Sequence, residues 1–337
     1  MEIYQAIILG IIEGITEYLP VSSTGHLIIA QAILGLNTPD LKSATDAYAV
    51  IIQGGAILAV LGLYWKSVRS MILGLLGKHA DGLKLFINII IAFLPAAILG
   101  PILDDLIDEY LFFPIPVLAA LALGGIWMIA LDYSIAQQLK ILGGLAFGVI
   151  LLIFSGSMLI ALAPGVIVMI LLDFSQRRKI KNINEDEKIA TFTHGKTIND
   201  ITPLNALAIG LFQCVAMWPG TSRSMMTIAG GTMLGLRPKD AAEFSFLLGL
   251  PTLGGACVFK IAKDLYKSHE AGTPNMFETF STASIVIGIV VATIAAALAV
   301  KWLVNFLNKH GLAAFGYYRL ILTATFATLL LTNLITL

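Results

Sequence analysis

The sequence predicts an all-α, polytopic integral membrane protein built from inverted-topology repeats, and three observations carry that prediction. Over 337 residues the composition is 58% hydrophobic and 12% charged, with a mean hydropathy of +0.88; a soluble chain of this length cannot bury so much apolar surface. Several apolar runs reach the ~20 residues with which a helix crosses ~30 Å of hydrocarbon. Finally, a polar loop near the start of the chain returns, altered, in its second half. The helical run lengths, without ten-residue alternation, argue against an outer-membrane barrel.

The segment 1–36 opens on "MEIYQ", which is acidic and lacks the basic stretch of a cleavable signal. Spans follow at 48–65, 85–101 and 115–131, and again at 241–262, 280–300 and 312–334, while 1–36 and 204–236 are irregular. Loop charge orients the spans. Lys66, Arg69, Lys78 and Lys84 lie in one loop, and Arg177, Arg178, Lys179, Lys181, Lys188 and Lys196 in another, so both should be cytoplasmic. A loop holding Asp104, Asp105, Asp108 and Glu109 has no Lys or Arg and should face outward. Lys260, Lys263 and Lys267 fall on the outer side and argue against this scheme.

Both basic loops are inside only if the apolar tract 139–174 crosses an even number of times. A break is available at "SGS", 155–157, and the resemblance of 121–133 to 160–174 suggests a duplicated helix. The chain thus reads as one membrane domain, 1–337. Repeat one covers about 1–138, the tract and cytoplasmic loop 139–203, and repeat two about 204–337. A formal net charge of +0 gives no case for nucleic acid. Cys214 and Cys257 both lie in apolar segments and read as buried thiols, not metal ligands.

The repeat aligns "AIILGIIEGITEYLPVSS", 6–23, with "ALAIGLFQCVAMWPGTS", 206–222, after one gap. Gly10 falls on Gly210, Glu13 on Gln213 and Pro20 on Pro219. The charge scheme starts the first copy outside and the second inside, an inversion that brings broken helices tip to tip near the midplane.

Polar residues concentrate in these two copies. Glu13 and Glu17 share one helix face at i, i+4, and Gly10 and Gly14 are spaced for close helix packing. Two unpaired anions in lipid must meet a cation, a metal or water; otherwise the helix lies at the interface with its acids in solvent. "PVSSTGH", 20–26, ends that helix at Pro20 and offers Ser22, Ser23 and Thr24 as caps for a helix from His26 to about Leu36. The same turn could equally be an anion site, because helix N-termini present free N–H groups. In "PGTSRSMMT", 219–227, Arg223 sits among Ser222, Ser224 and Thr227. It either grips phosphate or snorkels to a headgroup.

The pattern E-x-x-x-E-x-x-x-P-V-S-S-T-G-H with a later P-G-x-S-R-S-x-x-T resembles the undecaprenyl-diphosphate phosphatase (bacitracin-resistance) family. "FSFLLGLP" from Phe244 and "YYRL" from Tyr317 extend the resemblance over most of the chain. The segment from Leu139 to about Ile201 departs from it, being longer than the family norm. The resemblance implies an inner-membrane phosphatase with two re-entrant helical loops and a site open outward. It would remove the terminal phosphate of a polyprenyl diphosphate, recycling a lipid carrier for cell-wall synthesis. Catalytic positions would be Glu13, Glu17, Ser23, His26 and Arg223; substrate contacts would be Ser22, Thr24, Gly25, Ser222, Ser224 and Thr227. Glu13 and Glu17 would either hold a divalent cation, Mg²⁺ or Ca²⁺, as hard oxygen ligands suit, or act as base.

Ser23 is the candidate nucleophile, with His26 three residues on as its proton partner; a metal-activated water is the open alternative. The partners are the lipid substrate and the bilayer, and the reading leaves a homodimer open. A polyprenyl-phosphate flippase is the rival reading, since inverted repeats with broken helices are also transporter architecture.

Overall fold

The computed structural model describes residues 1–131, 195–272 and 274–332. The described residues are helical: α1 (Ile3–Tyr18), α2 (Ser23–Ile33), α3 (Pro39–Leu63), α4 (Trp65–Leu75), α5 (Ala80–Tyr110) and α6 (Pro114–Leu131), then α7 (Pro203–Val215), α8 (Arg223–Met233), α9 (Pro238–Ala271), the single turn α10 (Met276–Thr279), α11 (Thr282–His310) and α12 (Ala313–Leu331). Six of them, α3, α5, α6, α9, α11 and α12, are long and apolar enough to cross a bilayer. The protein is a polytopic helical membrane protein. The tract 139–174, its break at "SGS" and the basic residues 177–188 lie outside the described residues.

The helices run longer than the sequence reading allowed. The span at 85–101 is the middle of the 31-residue α5, and that at 241–262 belongs to the 34-residue α9. Asp104, Asp105 and Asp108 are therefore not in a loop but on the last turns of α5. Pro95, Pro101 and Pro251 sit inside helices, as membrane helices permit when neighbours satisfy the freed carbonyls.

Contacts sort the helix ends onto two faces. At one, Lys84 Nζ donates to the Asn199 carbonyl at 2.6 Å, Asn88 to the Ile201 carbonyl at 2.9 Å, and the Ile198 amide to Asp240 at 3.0 Å. The start of α5, the segment before α7 and the start of α9 thus meet there. At the other face, Lys263 pairs with Asp104 and Asp105, and Lys260 lies 3.6 Å from Asp108. Lys260 and Lys263 are held against the acidic end of α5.

Interior packing relies on small residues. A Cβ on Gly10 would stand 2.7 Å from the Gly288 carbonyl oxygen. One on Gly14 would run into the Ala292 carbonyl and stand 2.7 Å from Ala295 Cβ. α1 therefore lies directly on the backbone of α11, the close approach that drives helix association in lipid. α7 makes the matching approach to α5 through Gly210 and Ala92. The opposite faces, with Ile8, Ile11 and Ile15 on α1 and Leu204, Leu211 and Val215 on α7, are apolar and exposed. The two cysteines are half-buried, not buried as the sequence suggested. Each thiol donates to a carbonyl, Cys214 to Gly210 and Cys257 to Val50.

Overpacking this seam tests it. Gly14→Val should lower the thermal unfolding midpoint in detergent by an amount worth about 1–3 kcal/mol. An unchanged midpoint would mean that α1 does not lie on α11 at this distance.

Candidate active site

The site grows from two hairpins of one design, α1–α2 and α7–α8. In each, an apolar helix too short to span ends in a tight turn, and an 11-residue helix follows. Ser22 and Ser222 are the two N-caps, with φ of 73° and 78°. No other non-glycine residue among the described ones has positive φ. A side chain in that region costs of order 1–3 kcal/mol unless its surroundings impose it. Here each serine oxygen accepts an amide at 3.3 Å, from Gly25 and from Met225.

This geometry corrects the sequence register. Ser22 matches Ser222 and Ser23 matches Arg223 without a gap, so Pro20 falls on Gly220, not on Pro219. α2 also begins at Ser23, earlier than His26, which leaves Ser22 as the cap and puts Ser23 and Thr24 in the first turn. Ser23 and Arg223 are thus the first residues of matching helices.

Glu17, on the last turn of α1, joins the two. One carboxylate oxygen accepts the Ser23 hydroxyl at 2.7 Å. The other accepts Arg223 at 3.1 Å from Nη2 and 3.4 Å from Nε. Arg223 Nη1 donates to the Ser245 carbonyl at 3.0 Å, and its guanidinium lies 5.6 Å from the centroid of the Tyr18 ring. Ser224 crosses between the hairpins by donating to the Leu19 carbonyl at 3.0 Å. Ser222 and Ser224 hydroxyls lie 3.1 Å apart, and Thr227 Oγ1 is 2.6 Å from Ser245 Oγ.

Glu13 is fully buried, and neither of its oxygens has a hydrogen-bond partner. A carboxylate in that state lacks what burial in a membrane demands, and it is the group best fitted to take a hard cation. Among the described residues no three His, Cys, Asp or Glu side chains form a ready cation cage. Glu13 and Glu17 are the carboxylates here that could hold a divalent cation, Mg²⁺ or Ca²⁺, alongside substrate phosphates.

His26 does not pair with Ser23. Its Nδ1 lies 2.7 Å from the Ser22 carbonyl and its Nε2 2.7 Å from the Tyr318 hydroxyl. The proton acceptor beside Ser23 is Glu17. Gly25 is buried against Leu121, and Thr24 is half-buried in the same first turn.

Sequence reasoning passed over Tyr18, Ser245, Tyr318 and Arg319. The available signal was Arg319, a lone cation inside an apolar helix. It is fully buried and donates to the carbonyls of Ala120, Leu121, Gly220 and Thr221 at 2.7–3.1 Å. The last two lie in the turn before Ser222, so Arg319 staples the second hairpin to α6. Gly124 makes room, since a Cβ there would stand 2.5 Å from the guanidinium.

Fold and site together define a polytopic membrane protein whose buried charged site is assembled by two helical hairpins. The family model described as Bacitracin resistance protein BacA matches residues 6–166 and 139–325. Undecaprenyl-diphosphatase 1 of Stutzerimonas stutzeri is 37% identical over 316 residues, covering 94% of this chain and 90% of that one. The undecaprenyl-diphosphatase of Bdellovibrio bacteriovorus is 33% identical over 334 residues, covering 99% and 98%. That of Flavobacterium johnsoniae is 36% identical over 321 residues, covering 95% and 93%. The chain belongs to the BacA family.

The strained caps give a direct test. Ser222→Gly should unfold close to the wild-type midpoint, because glycine accepts positive φ and is a fair cap. Ser222→Ala loses the cap and keeps the strain, a fall worth about 1–3 kcal/mol. Equal midpoints for the two variants would contradict the positive φ.

Proposed function

We propose that this chain hydrolyses undecaprenyl diphosphate to the monophosphate and inorganic phosphate, recycling the lipid carrier and conferring bacitracin resistance. The observation that carries the reading is Glu17, whose two oxygens bind the Ser23 hydroxyl and the Arg223 guanidinium from different hairpins. This supports a site for an anion and a nucleophile side by side. The relatives are undecaprenyl-diphosphatases, which is the same chemistry.

In this reading the terminal phosphoryl group takes the place of Glu17 on Arg223, which matches phosphate oxygens bidentately. Amides at the starts of α2 and α8 add hydrogen bonds to it. Glu17, freed from Arg223, accepts the Ser23 proton as Ser23 Oγ attacks phosphorus. The bond to the bridging oxygen breaks and polyprenyl monophosphate leaves. Water then cleaves the phosphoserine and releases phosphate. Phosphoryl transfer needs positioning and charge neutralisation above all, and the hydroxyls of Ser222, Ser224 and Thr227 line the same turn. Glu13, with Glu17, would hold a divalent cation, which would neutralise charge on the diphosphate when bound.

The inverted orientation of the hairpins has support from their anchors. Met1, ahead of α1, accepts from Ser284 at 3.2 Å, near the start of α11. α7 follows Ile201, which is held by Asn88 at the opposite end of the bundle. Helices α2 and α8, of 11 residues each, are too short to cross and fit re-entrant segments. With the basic face inside, the site opens outward, where the diphosphate product of glycan assembly appears. All the residues invoked come from one chain, so the reading needs no dimer.

The test is phosphate release from a polyprenyl diphosphate by the purified protein. Glu17→Gln and Arg223→Lys should each lose about 10²-fold or more in kcat, and chelator should abolish a turnover that Mg²⁺ restores. Ser23→Ala should still bind substrate but form no labelled phosphoenzyme on rapid quench. Sustained turnover by Ser23→Ala would place a water, not Ser23, in line with the phosphorus.

A further inference from the structure

His26 is held at both ring nitrogens. The Ser22 carbonyl, 2.7 Å from Nδ1, can only accept, so Nδ1 carries the hydrogen and the lone pair lies on Nε2. Tyr318 sits at that lone pair, its hydroxyl 2.7 Å from Nε2. The two rings are nearly parallel, 3° apart in orientation with centroids 5.6 Å apart. One tautomer and one ring plane are thereby fixed.

The elements behind these contacts are themselves constrained. Ser22 is one of the two strained caps, with φ 73°, so the direction of its carbonyl is set by the turn. Tyr318 precedes Arg319, whose guanidinium holds the Gly220 and Thr221 carbonyls. Adjacent residues of α12 thus touch the first hairpin through His26 and the second through its turn. Tyr318 is 44% exposed while Arg319 is fully buried, so the tyrosine lies on the accessible side of this contact.

We infer that Tyr318 is a positioning residue for the phosphatase reaction, fixing the His26 imidazole in one tautomer and linking its Nε2 through the Tyr318 hydroxyl to the accessible side of the contact. The inference rests on the proposed phosphatase activity and adds a residue outside the two motifs that suggested it. When Nε2 is unprotonated, the Tyr318 hydroxyl donates to it. When water or a phosphate oxygen passes a proton to the Tyr318 oxygen, the tyrosine's own hydrogen moves to Nε2, which then donates back to that oxygen, and the reverse transfer returns the proton. The pair can therefore move a proton without moving either ring.

Tyr318→Phe keeps the ring and removes only the hydroxyl. It should lower kcat about tenfold or more, leave KM for polyprenyl diphosphate within about twofold, and leave the unfolding midpoint near wild type. In a His26→Ala background the same substitution should have no further effect. A wild-type kcat in Tyr318→Phe, or an undiminished loss in the His26→Ala background, would overturn the inference. A readout independent of turnover separates this from the phosphatase reading itself. In protein labelled with ¹⁵N-histidine, the resonances missing from His26→Ala identify His26. They should report the Nδ1-protonated tautomer, with Nε2 shifted in Tyr318→Phe. An unmoved Nε2 resonance overturns the role of Tyr318 whatever the activity, whereas a moved one in a protein that releases no phosphate would overturn the phosphatase reading alone.

Discussion

A carboxylate buried at the level of the membrane must be partnered, and Glu17 takes its two partners from different halves of the chain. Ser23 reaches it from α2 and Arg223 from α8. Much of the surrounding structure can be understood as what brings those three groups within reach. Gly10 and Gly14 let α1 lie on the backbone of α11, which fixes the axis carrying Glu17. The positive φ of Ser22 and Ser222 turns each chain so that the next residue opens a helix beside the carboxylate. Arg319 holds the second turn through the Gly220 and Thr221 carbonyls.

Magnitudes suggest what the pair is for. A buried ion pair often adds little net stability, because desolvating both charges offsets their attraction, yet removing one partner costs about 3–5 kcal/mol. The Glu17–Arg223 pair is therefore a poor choice for holding helices together, a task already met by glycine packing and by Arg319. It is a good choice for a site that exchanges one anion for another. In the proposed reaction the phosphoryl group replaces the carboxylate on Arg223, and the displaced carboxylate is then free to take the Ser23 proton. Glu13, buried with neither oxygen bonded, extends the same logic to a cation.

The spans were legible because twenty-residue apolar runs have one physical use. Their ends were not, since α5 and α9 continue past the hydrocarbon as charged turns that read as loops. Lys263 pairs with Asp104 and Asp105, so these charges belong to packed helix ends that the sequence alone presented as loops. Within the site, the i, i+4 spacing of Glu13 and Glu17 and the placement of Arg223 among hydroxyls were readable. The positive φ of two serines was not, because nothing in a serine's identity announces it. His26 and Ser23 suggested a pair by spacing, but the cap at Ser22 directs the imidazole to its own carbonyl and to Tyr318. Tyr318 comes from 292 residues away and Arg319 from 98 to 199, distances at which only the fold can introduce partners.

The claim on which the account turns is that Glu17 and Arg223 satisfy one another across the two hairpins. A double-mutant cycle on unfolding free energy in detergent, with Glu17→Gln, Arg223→Gln and the double variant, measures it most directly. The account predicts that the double variant loses less than the two single losses together, with a coupling of at least about 1 kcal/mol, because each single change strands a buried charge. Losses that add to within about 0.5 kcal/mol would contradict it.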